Sequence, residues 1–212
     1  MRSASTIDFV VKICGITDEG DGRLALGCGA NALGFNFYRR SPRYLTFERA
    51  RELTAALPGD YLSVGVFVNP TESQLDEALR SVRLDVIQLH GNHCATPPSG
   101  IRVWRSVALP ACVAPGDTAE AFLLDTPTPQ FGGSGRTFDW SLAAGFPHRA
   151  ILAGGLDAAN VAEAIRVARP WGVDSCSRLE SKPGRKDASR VRAFVEAALE
   201  EALANASTER TT

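Results

Sequence analysis

No stretch of this chain approaches the ~18 consecutive apolar residues of a membrane span, so a membrane-spanning helix is not expected. The N-terminus also lacks the charged-then-apolar layout of a secretory signal, and the expected location is the cytoplasm. Charge imbalance is missing too. The formal net charge is −1, which offers no bulk attraction to nucleic acid or to an anionic lipid surface, and neither is expected as a partner. Five cysteines (Cys14, Cys28, Cys94, Cys112, Cys176) stand far apart with no C-x-x-C among them. The three histidines (His90, His93, His148) show no ligand spacing with them. His90, His93 and Cys94 are the nearest approach to a metal cluster, but zinc needs further ligands at definable spacing. The reading is a reduced protein without disulfides or metal.

A glycine-rich dinucleotide fingerprint is absent as well. The turn after the first strand reads Cys14-Gly15-Ile16-Thr17-Asp18, with no G-x-G-x-x-G. What the chain does have is an ordinary globular composition, 44% hydrophobic and 22% charged. Its 212 residues suit one domain, with a core from about 9 to 204 and a frayed polar tail over 205–212. Short β-rich apolar runs alternate with amphipathic helical spacing. Strands are expected at Phe9–Ile16, Ala32–Phe37, Leu62–Val68, Val86–His90, Val103–Ala108, Ala121–Asp125, Ala150–Ala153 and Gly172–Ser175. Thr17 is placed to cap a helix after the first strand, and helices are expected over Phe47–Leu57, Glu72–Val82, Val161–Ala168 and Ala188–Leu203. Asn160 and Asp187 stand near the starts of the last two. Eight strands alternating with helices in this length predict an α/β fold, a single (β/α)₈ barrel. A doubly wound open sheet is the alternative. Two connections look thin: Gly91–Arg102 contains Pro97, Pro98 and Gly100, and Leu109–Glu120 contains Pro110, Pro115 and Gly116. The helices after strands four and five are therefore expected to be short or missing.

Parallel strands present their C-terminal ends to the site. Cys14 lies at such an end, where a buried cysteine is either a small core residue or a reacting group. Asp125 ends strand six, read either as a turn residue or as a working carboxylate. The long loop that follows contains Gly132-Gly133-Ser134-Gly135 and suits closure over a site, while Asp139 before Trp140 suits a helix cap. Ala153-Gly154-Gly155-Leu156 and Asp174-Ser175-Cys176-Ser177 follow the last two strands, where barrels frequently bind phosphate on backbone N–H groups.

Taken in order, the motifs resemble those of the phosphoribosylanthranilate isomerase family, small barrel enzymes of tryptophan biosynthesis. The matching residues are Lys12-Ile13-Cys14-Gly15-Ile16-Thr17, Ser41-Pro42-Arg43, Val64-Gly65-Val66-Phe67-Val68 and Gln88-Leu89-His90-Gly91. They continue with Leu123-Leu124-Asp125, Gly132 to Gly135, Phe138-Asp139-Trp140, Ala153 to Leu156, Gly172-Val173-Asp174, Glu180, Pro183-Gly184 and Lys186-Asp187. The resemblance implies a cofactor-free Amadori rearrangement of a small phosphorylated aminoaldose, by a monomer or homodimer. It implies that Cys14 is the general base and Asp125 the general acid. Arg43 would hold the anthranilate carboxylate, and His90, Gly133 and Ser134 would line the pocket. Gly154, Gly155 and the run Asp174, Cys176, Ser177 would surround the phosphate.

Two departures stand out. The family's usual Val-Ser-Ser-Gly-Val-Glu reads Ser175-Cys176-Ser177-Arg178-Leu179-Glu180 here, so arginine replaces glycine. That arginine either strains a positive-φ position or adds a phosphate contact. The thin flank is the other departure. The related histidine-pathway isomerase is expected to carry aspartate where Cys14 stands. A degenerate phosphate-binding barrel without turnover is the non-enzymatic alternative.

Overall fold

The computed structural model describes residues 9–109, 113–114, 116–125 and 139–209. Eight parallel strands close a barrel: β1 (Val10–Cys14), β2 (Ala32–Asn36), β3 (Leu62–Val68), β4 (Val86–His90), β5 (Arg102–Ala108), β6 (Ala121–Asp125), β7 (Ala150–Leu152) and β8 (Gly172–Ser175). Each strand pairs with the next, and β8 returns to pair with β1. The barrel expected from the alternation is the one that forms, and the open-sheet alternative falls with the β1–β8 pairing.

Period-two alternation divides each strand between two cores. Val11 and Ile13 join the layer under the helices, whereas Val10 packs inside the barrel with Ala32, Val64, Val86, Leu123 and Ile151. Trp104 fills the N-terminal half of that interior, fully buried. Its Nε1–H donates to Glu120 Oε2 at 3.2 Å, and its ring meets Trp171 edge to face at 5.9 Å. Arg102 holds the same Glu120 through bonds of 2.7 and 2.9 Å. An indole can be buried here because its one donor finds an acceptor.

Outside the strands lie α1 (Glu19–Gly27), α2 (Phe47–Ala56), α3 (Glu72–Ser81), α4 (Val161–Ala168) and α5 (Ala188–Glu209). Their apolar stripes account for their placement. In α4, Val161, Ala164, Ile165 and Ala168 are all buried, the i, i+3, i+4, i+7 pattern. α3 begins with a reciprocal capping box between Thr71 and Gln74. Side chains such as Leu75, Ile165 and Phe194, each 1% exposed or less, contribute roughly 1.5–3 kcal/mol apiece by burial.

Three local expectations are corrected. Asp18, not Thr17, caps α1, accepting from Asp21 N–H at 3.0 Å. The Thr17 hydroxyl instead donates to the Gly184 carbonyl at 2.5 Å. Asn160 makes no side-chain cap and braces the preceding turn, donating to the Gly155 carbonyl at 3.0 Å. α5 continues to Glu209, so residues 205–209 form its last turns rather than a frayed tail. Asp187 and Asp139 cap as expected, Asp187 at α5 and Asp139 at a short 3₁₀ turn, Trp140–Ala143.

No helix follows β4, nor β5 among the described residues. Pro97, Pro98 and a left-handed Gly100 (φ 89°) prevent one in the first connection. Irregular chain covers that flank instead, with Cys94, Ala95, Ile101, Val113 and Ala119 partly buried against the core. After β8 comes a 3₁₀ turn (Ser177–Leu179) and then an antiparallel hairpin of β9 (Glu180–Lys182) and β10 (Arg185–Lys186). That hairpin folds over the C-terminal mouth and fixes the side chains described next.

Candidate active site

The C-terminal mouth holds a cavity of 590 Å³. Its lining draws on all strand ends but β5: Cys14, Asn36, Val66, Val68, Gln88, His90, Asp125, Ala153, Asp174 and Cys176. Inward positions that are apolar deep in the barrel become polar here, as a site facing a hydrophilic ligand requires. Among the described residues no three His, Cys, Asp or Glu side chains cluster as metal ligands.

At the floor, Lys12 and Asp174 form a buried ion pair, Nζ to Oδ1 at 2.7 Å, with the Lys12 side chain wholly enclosed. They are opposite each other in the β1–β8 register. Burial works to neutralise the ammonium, but Asp174 and the Cys14 sulfur hold it charged, well above the ordinary lysine range. Cys14 stands one pleat higher on the same face, 8% exposed. Its thiol is drawn down from 9.0 to about 6, first by a hydrogen bond from Cys176 and then, against the opposing effect of burial, by the Lys12 charge. Cys176 is correspondingly pushed up, because it supplies that hydrogen bond and is itself buried. The two thiols act as one site that keeps a single proton. Lys12 places the anion on Cys14.

His90 is also displaced, to about 4, by burial and by the Lys12 charge. It is therefore a neutral imidazole at pH 7. Its Nε2 is hydrogen-bonded to the Gln88 side-chain amide at 2.7 Å. His90 lines the cavity as expected and carries no charge into it.

Arg43 reaches the mouth beside Cys14 and is clamped from behind. Its Nε and Nη2 donate to the two Glu180 oxygens at 2.7 and 2.6 Å. Lys186 Nζ donates to the same carboxylate at 3.2 Å and to the Cys176 carbonyl at 3.2 Å. Burial opposes the Glu180 charge, yet Arg43 and Lys186 hold its carboxyl below the usual range. Gly15 makes this crossing possible. It sits at φ 74°, and a Cβ there would stand 2.6 Å from Arg43 Cδ and 2.9 Å from Cys176 Sγ. The guanidinium of Arg43 is thus held by Glu180 while the residue lines the cavity.

The anion-binding expectations divide. Gly154 and Gly155 take left-handed φ values of 80° and 66° and line the mouth, as does Ser177 at the start of its 3₁₀ turn. Asp174 lines the cavity too, with its carboxylate engaged by Lys12. Arg178 belongs to the 3₁₀ turn and is not among the positive-φ residues, so the arginine strains nothing there. Its guanidinium stands at the cavity wall, 3.8 Å from Asp157 Oδ2. Asp125 ends β6 at the mouth, three strands from Cys14 around the barrel. Gly133 and Ser134 lie outside the described residues.

Sequence reasoning assigned no role to Lys12, Gln88, Asn36 or Lys186. A signal for Lys12 was present: a lysine on the inward face of an otherwise apolar strand needs a buried acid, and β8 has one, Asp174.

The family model for N-(5′-phosphoribosyl)anthranilate (PRA) isomerase matches residues 11–197. The N-(5′-phosphoribosyl)anthranilate isomerase of Solibacter usitatus is 46% identical over 200 residues, 90% of this chain and 97% of that protein. The crystal structure of phosphoribosyl anthranilate isomerase from Thermotoga maritima superposes with a TM-score of 0.79 at 35% identity, covering 91% of this chain and 99% of the other. A phosphoribosyl anthranilate isomerase in complex with reduced 1-(o-carboxyphenylamino)-1-deoxyribulose 5-phosphate is 32% identical, with a TM-score of 0.74 and coverage of 91% and 99%. The match runs from the first strand of the barrel into its last helix, and this chain belongs to the N-(5′-phosphoribosyl)anthranilate isomerase family.

Proposed function

We propose that this protein converts N-(5′-phosphoribosyl)anthranilate to 1-(2-carboxyphenylamino)-1-deoxyribulose 5-phosphate, an Amadori rearrangement of tryptophan biosynthesis, with Cys14 as general base and Asp125 as general acid. The observation that carries the roles is a thiol drawn down to about 6 beside a buried lysine, in the same cavity as a carboxyl group three strands away. Asp125 delivers a proton to the furanose ring oxygen as the C1′–O bond breaks, and the nitrogen lone pair forms the Schiff base. The Cys14 thiolate then removes the C2′ proton, whose electrons move into the C1′–C2′ bond and neutralise the iminium. The resulting enolamine is reprotonated at C1′ and becomes the ketone. No cofactor enters any step.

The substrate carries a carboxylate at one end and a phosphate at the other, and the mouth has basic groups for both. Arg43, aligned by Glu180, faces the anthranilate carboxylate. Gly154, Gly155 and Ser177 offer backbone N–H groups to the phosphate, with the Arg178 guanidinium beside them. Neutral His90 packs beside the substrate without competing for protons. The cysteine at position 14 argues against the histidine-pathway isomerase, and an unstrained Arg178 removes one reason to read the barrel as degenerate. The same reading places the enzyme in the cytoplasm as a monomer or homodimer.

The test is direct. Freshly generated phosphoribosylanthranilate is supplied to the purified protein and the loss of its fluorescence followed. Turnover is expected, falling by about 10²–10⁴-fold in Cys14→Ala and in Asp125→Asn. An inactive native protein would sink the activity, and an undiminished variant would remove that residue from its role.

A further inference from the structure

Cys176 has no part in the proton transfers above, yet its thiol is hydrogen-bonded to the Cys14 thiol. β1 and β8 are hydrogen-bonded parallel strands in the register Lys12 opposite Asp174 and Ile13 opposite Ser175. Continued one step, that register sets Cys14 against Cys176, the first residue past the end of β8. Residues opposite each other on neighbouring strands have Cα atoms about 4.8 Å apart, inside the ~4.4–6.8 Å window of disulfides. Both side chains project to the same face, above the Lys12–Asp174 pair. The Cys176 sulfur reaches back so far that a Cβ on Gly15 would lie 2.9 Å from it. Both thiols are reduced and both line the open cavity.

We propose that Cys14 and Cys176 are a dithiol switch: a peroxide oxidises Cys14, and Cys176 closes a disulfide onto it that silences the isomerase reversibly. The loss of turnover rests on Cys14 being the base; the disulfide rests on the strand register alone. In the first step the Cys14 thiolate attacks one peroxide oxygen and the O–O bond breaks. The departing hydroxide takes a proton to become water, and two electrons pass from sulfur to peroxide. Cys14 becomes a sulfenic acid. The Cys176 sulfur then attacks the Cys14 sulfur, the S–S bond forms and the S–O bond breaks. Oxygen leaves as a second water with the proton released by Cys176.

The surroundings suit the second step. The hydrogen bond to the Cys14 anion is the first cause, ahead of burial, that keeps Cys176 protonated. Oxidation of Cys14 removes that anion, while Lys186 Nζ, 3.8 Å from the Cys176 sulfur, and the nearby Arg43 favour its thiolate. Cys94 offers no such arrangement. Its thiol donates to the His90 carbonyl at 3.2 Å, and burial pushes it up. The serine usual at position 176 in the family this chain resembles can hydrogen-bond Cys14 but cannot form the bridge. Closure also limits damage, since the disulfide intercepts the sulfenic acid before it proceeds to the irreversible sulfinic acid.

The full-length protein is treated with hydrogen peroxide, quenched with catalase, and divided between non-reducing peptide mapping and turnover assays with and without dithiothreitol. A peptide pair linked Cys14 to Cys176 is expected, with turnover reduced at least about tenfold and restored by the dithiol. Cys176→Ser, normalised to its own untreated rate, is expected to lose turnover without recovery as Cys14 proceeds to sulfinic acid. Cys14 overoxidised in the native protein with no link to Cys176, or linked to another cysteine, overturns the switch and leaves the base assignment standing. A Cys14–Cys176 link that leaves turnover intact overturns the silencing and the base assignment together. The native peptide map needs no variant to fold.

Discussion

Lys12 Nζ lies 2.7 Å from Asp174 Oδ1 across 162 residues of chain, wholly inside the barrel. Breaking a buried pair leaves one uncompensated charge. Lys12→Met is therefore expected to lower stability by about 3–5 kcal/mol. It also removes the cation that favours the Cys14 thiolate. Alkylation of Cys14 by iodoacetamide, followed by mass spectrometry against pH, is expected to shift its midpoint upward. An unchanged midpoint would show that the lysine does not govern the thiol.

The pH dependence of the native enzyme follows from the same thiol. Its value of about 6 lies below the ordinary 9.0, so the thiolate is present at pH 7 and is lost as pH falls through 6. kcat/KM is expected to drop about tenfold per pH unit below that point. A limb near 9 instead would mean that Cys14 reacts from an unperturbed thiol.

Gly15 and Gly59 separate backbone strain from site disruption. Both have positive φ, 74° and 82°, but a Cβ on Gly59 meets nothing within 4 Å. Gly59→Ala is expected to cost about 1 kcal/mol in chemical denaturation and leave turnover unchanged. Gly15→Ala carries the same strain and also displaces Arg43 and Cys176, so turnover is expected to fall by about 10²-fold. Equal activities in the two variants would contradict the crossing of Arg43 over Gly15.

Arg178 is tested by restoring the glycine. If its guanidinium assists the phosphate, Arg178→Gly raises KM about tenfold with little change in kcat, and inorganic phosphate becomes a weaker inhibitor. A lower KM in the variant would identify the arginine as an obstruction.

Much of this molecule could be read along the chain. Four of the eight strands begin and end where expected, since alternating apolar residues bounded by glycine, proline and polar turns encode a period locally. Pro97, Pro98 and Gly100 announced the bare flank after β4. Cys14, His90, Asp125, Gly154, Gly155 and Ser177 were placed at one rim because parallel strands end there. Caps were less legible. Thr17 and Asp18 are both able to cap, and the carbonyl that claims Thr17 belongs to Gly184, far along the chain.

Cys14 marks the boundary between the two kinds of information. The sequence alone determined that a cysteine ends the first strand, with an acid ending the sixth and glycines after the seventh. These follow from local periodicity, which depends only on neighbouring residues. Barrel closure decided the rest, because β1 meets β8 in one register and not another. That register sets Lys12 against Asp174 and Cys14 beside Cys176. The Cys14 proton answers to charges and hydrogen bonds a few ångströms away: Lys12 is a neighbour along the chain, but Cys176 and Asp174 stand at its far end and reach Cys14 only through barrel closure.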